Sequence, residues 1–158
     1  TNKMWESLHH GFSFKYNPRV WTLIPSSYDE PDGMIFGVYD VNDGSSFVLD
    51  MDKIETCDDF EFDSIADEYY SRLFNADNSA KRLGKYSIPL NNTEFIFERY
   101  SFNNNNFGRQ NIARGVYVGA GSVIGVAVAW PEGYETLSKY KVPPKFELFL
   151  DKIRVDAA

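Results

Sequence analysis

Two histidines and one cysteine in 158 residues leave little room for catalytic chemistry. His9 and His10 are adjacent, and neighbours on an extended segment point to opposite faces, unlike the i, i+4 spacing that lets two helical histidines share a metal. A Ser/His/Asp relay would have to recruit one of them, and no Gly-x-Ser-x-Gly elbow is present to hold a nucleophile. Cys57 can form neither an internal disulfide nor a cysteine-based metal cage. Its neighbours Glu55, Asp58 and Asp59 disfavour the thiolate that nucleophilic chemistry needs. No residue is therefore expected to be catalytic.

The acidic residues offer two other chemistries. Asp58, Asp59, Glu61 and Asp63 form the densest acidic run; their carboxylates could bind calcium, but they lack the Asp-x-Asp-x-Asp-Gly spacing of a dedicated loop, and acids at a helix start account for them. Asp40, Asn42, Asp43 and Gly44 have a similar look, with the glycine one residue early and a hairpin turn as the simpler explanation. Paired carboxylates for glycoside hydrolysis need a cleft and a set separation, and Glu94 with Glu98 on one strand face reads as cross-strand pairing. The stretch Gly119-Ala120-Gly121-Ser122 has no Gly-Lys-Ser/Thr after it and so is a turn, not a phosphate loop. Neither a metal nor a cofactor is expected.

A net charge of -7 and the absence of any lysine and arginine cluster exclude phosphate backbones and anionic membranes as expected partners. Lys81, Arg82, Arg99, Arg109 and Arg114 read as solvated or sheet-paired charges without a site. No stretch reaches the roughly 18 apolar residues of a membrane span, so no membrane insertion is expected. Residues 1–7 lack the charged and apolar regions of a leader. Asn91-Asn92-Thr93 matches a glycosylation acceptor, a short pattern of little weight.

The elements that must position these residues follow from periodicity. Phe12, Phe14 and Tyr16 alternate with polar residues as in a half-buried strand, and Trp21 follows as a core anchor. Residues 25–33 read as a surface loop. Strands over 34–41 and 46–51 flank Asn42-Asp43-Gly44-Ser45, whose Asp-Gly would supply the positive dihedral angles of a tight hairpin. Between residues 59 and 75 the spacing of Phe62, Ile65, Ala66, Tyr69 and Leu73 predicts an amphipathic helix.

A second hairpin pairs Tyr86, Ile88 and Leu90 with residues 94–102, and Pro89 marks an edge or bulge. The four asparagines 103–106 read as a loop. The nearly uncharged stretch 112–130 predicts a third hairpin, with large residues on one face of its second strand and small ones on the other, so both sheet faces should be covered. Residues 132–142 are expected to hold a short helical turn. Pro143-Pro144 should start a helix carrying Phe146, Phe149, Leu150 and Ile153 on one stripe. The expected class is α+β: one domain over residues 1–158, an antiparallel sheet covered by helices in an α/β/α sandwich.

The run Gly11 to Tyr16 with Trp21, Asp32-Gly33 before a strand, the Asn42-Asp43-Gly44 hairpin, the helix over residues 63–74 and the closing Leu150-Asp151-Lys152-Ile153-Arg154-Val155 resemble the PsbP-like superfamily. Its members include an extrinsic photosystem II subunit, a Ran-binding nucleotide-release factor and bacterial envelope lipoproteins. The resemblance implies an α/β/α sandwich, no catalytic residue, and a binding or accessory role for a protein partner.

The leading expectation is therefore a noncatalytic binding or accessory domain, extracytoplasmic rather than cytoplasmic. One alternative is a small-molecule binder or weak hydrolase in which Trp21, Tyr69 and Tyr100 line an aromatic pocket. Another is a cytoplasmic protein-interaction adaptor. If loops carry the binding, residues 25–33 and Asn103, Asn106 and Arg109 are the candidates.

Overall fold

The computed structural model describes residues 2–7, 11–25, 33–53, 64, 67, 70–71, 75, 78–91, 93–119 and 122–154. Among them the chain forms strands β1 (Lys3–Ser7), β2 (Phe12–Tyr16), β3 (Thr22–Leu23), β4 (Gly33–Tyr39), β5 (Ser46–Lys53), β6 (Lys81–Leu90), β7 (Thr93–Asn104), β8 (Gly108–Gly119) and β9 (Ser122–Pro131). A 3-10 turn at Pro144–Phe146 then runs into a short helix, α1 (Glu147–Leu150). β3 to β9 make a seven-stranded sheet in the order β3-β4-β5-β9-β8-β7-β6, and β1 and β2 pair separately. Every pairing is antiparallel.

The apolar stretch predicted to be a hairpin is β8–β9 at the centre of the sheet, closing at the pair Gly119 and Ser122. Ile124, Val126, Val128 and Trp130 of β9 are buried on one face, and Val123 and Ala129 on the other. The alternation of large and small residues thus reports real burial on both sides. Gly125 has to be small, because a Cβ there would strike the Asp50 carboxylate, which sits over it and pairs with Arg114 at 3.8 Å.

On the large-residue face the cover is the β1–β2 hairpin and the C-terminal segment. Phe14 stacks on Phe36 at 4.5 Å and meets Phe149 edge-on at 6.3 Å. Trp21 lies between Phe146 at 5.7 Å and Phe149 at 5.4 Å. On the other face Tyr100 stacks on Tyr70 at 5.7 Å, and Ser64, Asp67, Tyr70, Ser71 and Asn75 have helical backbone at the place where sequence periodicity predicts a helix.

Several expectations are revised. The fold is mostly antiparallel sheet with little helix among the described residues, so the helical cover of an α/β/α sandwich is replaced on one face by a two-stranded hairpin and one short helix. β1 carries too few apolar residues to announce itself; it forms by pairing along its whole length with β2 and packing the half-buried Trp5 against Phe36 at 5.0 Å. The C-terminal helix ends at Leu150, and Ile153 is fully buried beyond it through i→i+3 bonds such as Ile153 N–H to Leu150 C=O at 3.2 Å. Residues 132–142 contain turns rather than a helix.

Asn103 and Asn104 belong to β7, and only the tip is a turn, because the Asn104 side chain accepts the amides of Asn106 at 2.8 Å and Phe107 at 3.2 Å. Pro89 lies on edge strand β6. The histidine pair, Cys57, the acidic run 58–63, Tyr69 and most of the loop 25–33 lie outside the described residues.

Candidate functional site

The loops at one end of the sheet meet in a cluster held by charge and hydrogen bonds. In the β4–β5 connection, the Asp40 amide donates to Ser45 C=O and the Gly44 amide to Asp40 C=O, each at 2.8 Å. Its carboxylates fold inward: Asp40 accepts the Asn42 amide at 2.9 Å and Asp43 the Ser45 amide at 2.8 Å. Gly44 has φ +77°, whereas Asp43 is not in the left-handed region, so the turn is wider than the two-residue hairpin expected of Asp-Gly. A side chain at Gly44 would also strike the Phe107 ring at 2.5 Å and the Gln110 amide at 2.7 Å. Gln110 in turn donates to Asp43 C=O at 3.1 Å, which joins this loop to β8.

Lys145 closes the cluster from the C-terminal segment. Its ammonium lies 2.9 Å from Asp43 and 3.4 Å from Asp40, and 5.1 Å from the centre of the Trp21 ring. Tyr134 donates its hydroxyl to Asp43 at 2.6 Å. Burial pushes the Asp43 carboxyl up, but the hydrogen bonds from Tyr134, Ser45 and Lys145 outweigh it and hold the group below its ordinary value. The same bond to Asp43 pushes the Tyr134 phenol up to about 12. The two calcium-like acids thus grip an ammonium where a divalent ion would have to sit. Among the described residues no group of three His, Cys, Asp or Glu side chains is placed to hold a metal.

The neighbouring β7–β8 turn is anchored by Arg109, whose guanidinium donates to Ser79 Oγ and C=O, each at 3.0 Å, to Ser101 Oγ at 2.6 Å and to Asn103 Oδ1 at 3.2 Å. Arg109 and Asn103 are therefore spent on holding the loop, while Asn106 stands exposed at its tip. Around these anchors the apolar side chains face solvent: Val41 is 56% exposed, Phe107 38%, Tyr134 42% and Leu137 86%. Trp21 and Tyr100 do not come together, since Trp21 belongs to the continuous core and Tyr100 is buried outside it against Tyr70. Sequence reasoning missed Lys145 and Tyr134. A lysine opening a helix opposes the dipole, a signal that acids elsewhere in the fold hold it.

The fold is PsbP-like, by comparison with solved structures. Among solved structures the chain is similar to cyanobacterial PsbP (CyanoP) of Synechocystis sp. PCC 6803, with TM-score 0.54 and 13% identity over 84% of this chain and 81% of that one. It is also similar to the Ran-binding protein Mog1p of Saccharomyces cerevisiae, with TM-score 0.49 and 12% identity over 96% and 92% of the two chains. No protein-family model and no curated protein matches it. Identities this low speak for the fold alone. Among the described residues no helix is long and apolar enough to cross a membrane.

Proposed function

We propose that this domain is a noncatalytic protein-binding or accessory module whose partner docks on the loops around Val41, Phe107 and Tyr134. The observation that supports the reading is the combination of exposed apolar side chains with loops already fixed by Lys145, Gln110 and Arg109. A surface that spends no ordering entropy on association keeps more of its contact energy as affinity. Exposed aromatic and aliphatic groups rimmed by polar residues are the usual core of a protein interface. In this cluster the ionic groups pair with one another, which suits a scaffold better than a reaction centre.

A photo-crosslinking residue at Val41, with Met4 on β1 as an exposed control, tests the reading in extract from the source cells. The expected result is a discrete adduct at Val41 that unlabelled domain competes away, that Val41→Asp domain does not, and that is absent at Met4. Equal adducts at both positions, no adduct, or full competition by the Val41→Asp domain would overturn it.

A further inference from the structure

A second cluster lies on the core face, toward the β6 edge. Arg99 of β7 places its guanidinium carbon 4.9 Å from the Trp130 ring centre and 6.0 Å from that of Tyr86. Lys141 holds its ammonium 5.2 Å from the same Tyr86 ring. Arg99 Nε, Trp130 Nε1 and the Tyr86 hydroxyl are all buried without a hydrogen-bond partner in the structure, and Trp130 is 0% exposed. Buried polar groups are almost always paired, so three unpaired on neighbouring side chains are unusual.

We propose that this cluster is a binding site for a small carboxylate anion that approaches past Lys141. Arginine Nε, indole Nε1 and ammonium groups only donate, and the tyrosine hydroxyl can donate as well. A water placed among them could accept from two and give one proton to the tyrosine oxygen, leaving the other without an acceptor, whereas a carboxylate only accepts. Charge points the same way. In a chain of net charge -7, neither Arg99 nor Lys141 has a carboxylate partner among the described residues. Asp151 is already held by Lys139 at 2.8 Å and by Tyr140, the two residues before Lys141.

The backbone is arranged around the same point. Arg99 donates from Nη2 to Lys141 C=O. Lys141 sits in the left-handed region at φ +59°, in a turn where the Val142 amide donates to Ser138 Oγ at 3.2 Å. That turn leaves Arg99 Nε unclaimed and sets the exposed Lys141 at the rim. A carboxylate brings two oxygens, each able to accept from such donors. The site is independent of the docking loops.

Nitrogen-15 NMR of the whole domain, titrated with acetate, phosphate or chloride at constant ionic strength, reads the site through the Trp130 indole N–H, with Trp5 and Trp21 as internal controls. The expected result is a saturable shift of the Trp130 signal with acetate, absent in Arg99→Gln and at least tenfold weaker in Trp130→Phe when followed at the Arg99 Nε–H. Arg99→Lys, which keeps the charge and removes Nε–H, should weaken binding similarly and decides the matter if Arg99→Gln does not fold. No saturable shift, equal shifts of all three indoles, or unchanged binding in Arg99→Lys would overturn the site. Tighter binding of phosphate or chloride than of acetate would overturn the carboxylate assignment.

Discussion

Asp43 is the residue on which the docking loops turn, because Lys145, Tyr134 and the Ser45 amide all converge on its carboxylate. Removing that charge by Asp43→Asn should cost about 1.5 to 3 kcal/mol at neutral pH, the range for a lost charge-assisted hydrogen bond. Its folded pKa lies below the ordinary 3.8, so the contribution is complete above pH 3.8 and fades as pH falls through the folded value. Urea midpoints across acidic pH should therefore show wild type and Asp43→Asn converging below pH 3.8. Tyr134 has the opposite sign: its folded pKa is raised from 10.0 to about 12, so its contribution is present below pH 10 and lost as pH rises through 12. An ultraviolet phenolate titration should lose one late-ionising group in Tyr134→Phe. Gly44→Ala places a Cβ against Phe107 in a left-handed backbone and should destabilise by about 1 to 3 kcal/mol in the same urea assay.

At the scale of elements, the two covers of the core face stand only by tertiary contact. A four-residue helix has no stability of its own; α1 persists because Phe146, Phe149, Leu150 and Ile153 are all 0% exposed. Asn91, in the left-handed region at φ 57°, donates its side-chain amide to the carbonyls of Asp151 and Ile153 and so ties the end of that segment to the β6–β7 turn. In Asn91→Ala the amides of Lys152 and Ile153 should exchange faster by about tenfold, with a global loss of about 1 to 2 kcal/mol. Phe14 holds the β1–β2 hairpin in the same way, and Phe14→Ala should cost about 3 to 5 kcal/mol in thermal or urea unfolding. The β6 edge needs no cover: Pro89, Lys81, Lys85 and the irregularity between Arg82 and Gly84 discourage a further strand from pairing.

For the molecule as a whole, the proposed docking surface and the core that gives stability are different places. Val41 is 56% exposed, so Val41→Asp should leave the stability within about 0.5 kcal/mol of wild type while removing partner capture. Phe14→Ala should do the reverse, lowering stability without touching the docking loops. The acidic balance of the chain favours neither phosphate nor anionic lipid at long range, yet the Arg99 cluster keeps a local positive site inside it.

Periodicity by itself predicted strands where β4, β5, β7, β8, β9 and the second half of β6 lie, and the apolar stripe of the C-terminal segment, because alternation in a strand is a local consequence of which side meets the core. The missing N–H of Pro89 left an edge or a bulge open, and Asn103 and Asn104, which end β7, read as loop. The aromatic strand β2 and the burial of Trp21 were equally legible. Tertiary structure alone decided that a β1–β2 hairpin, not a helix, covers the core face with α1, since pairing of a weakly patterned strand depends on its neighbour rather than on its own residues. It also decided which charges meet. Asp43 and Lys145 are 102 residues apart, and Arg99, Trp130 and Lys141 come from separate elements, so no spacing rule can announce either cluster: ion pairs and unclaimed donors are properties of three-dimensional neighbours, not of sequence.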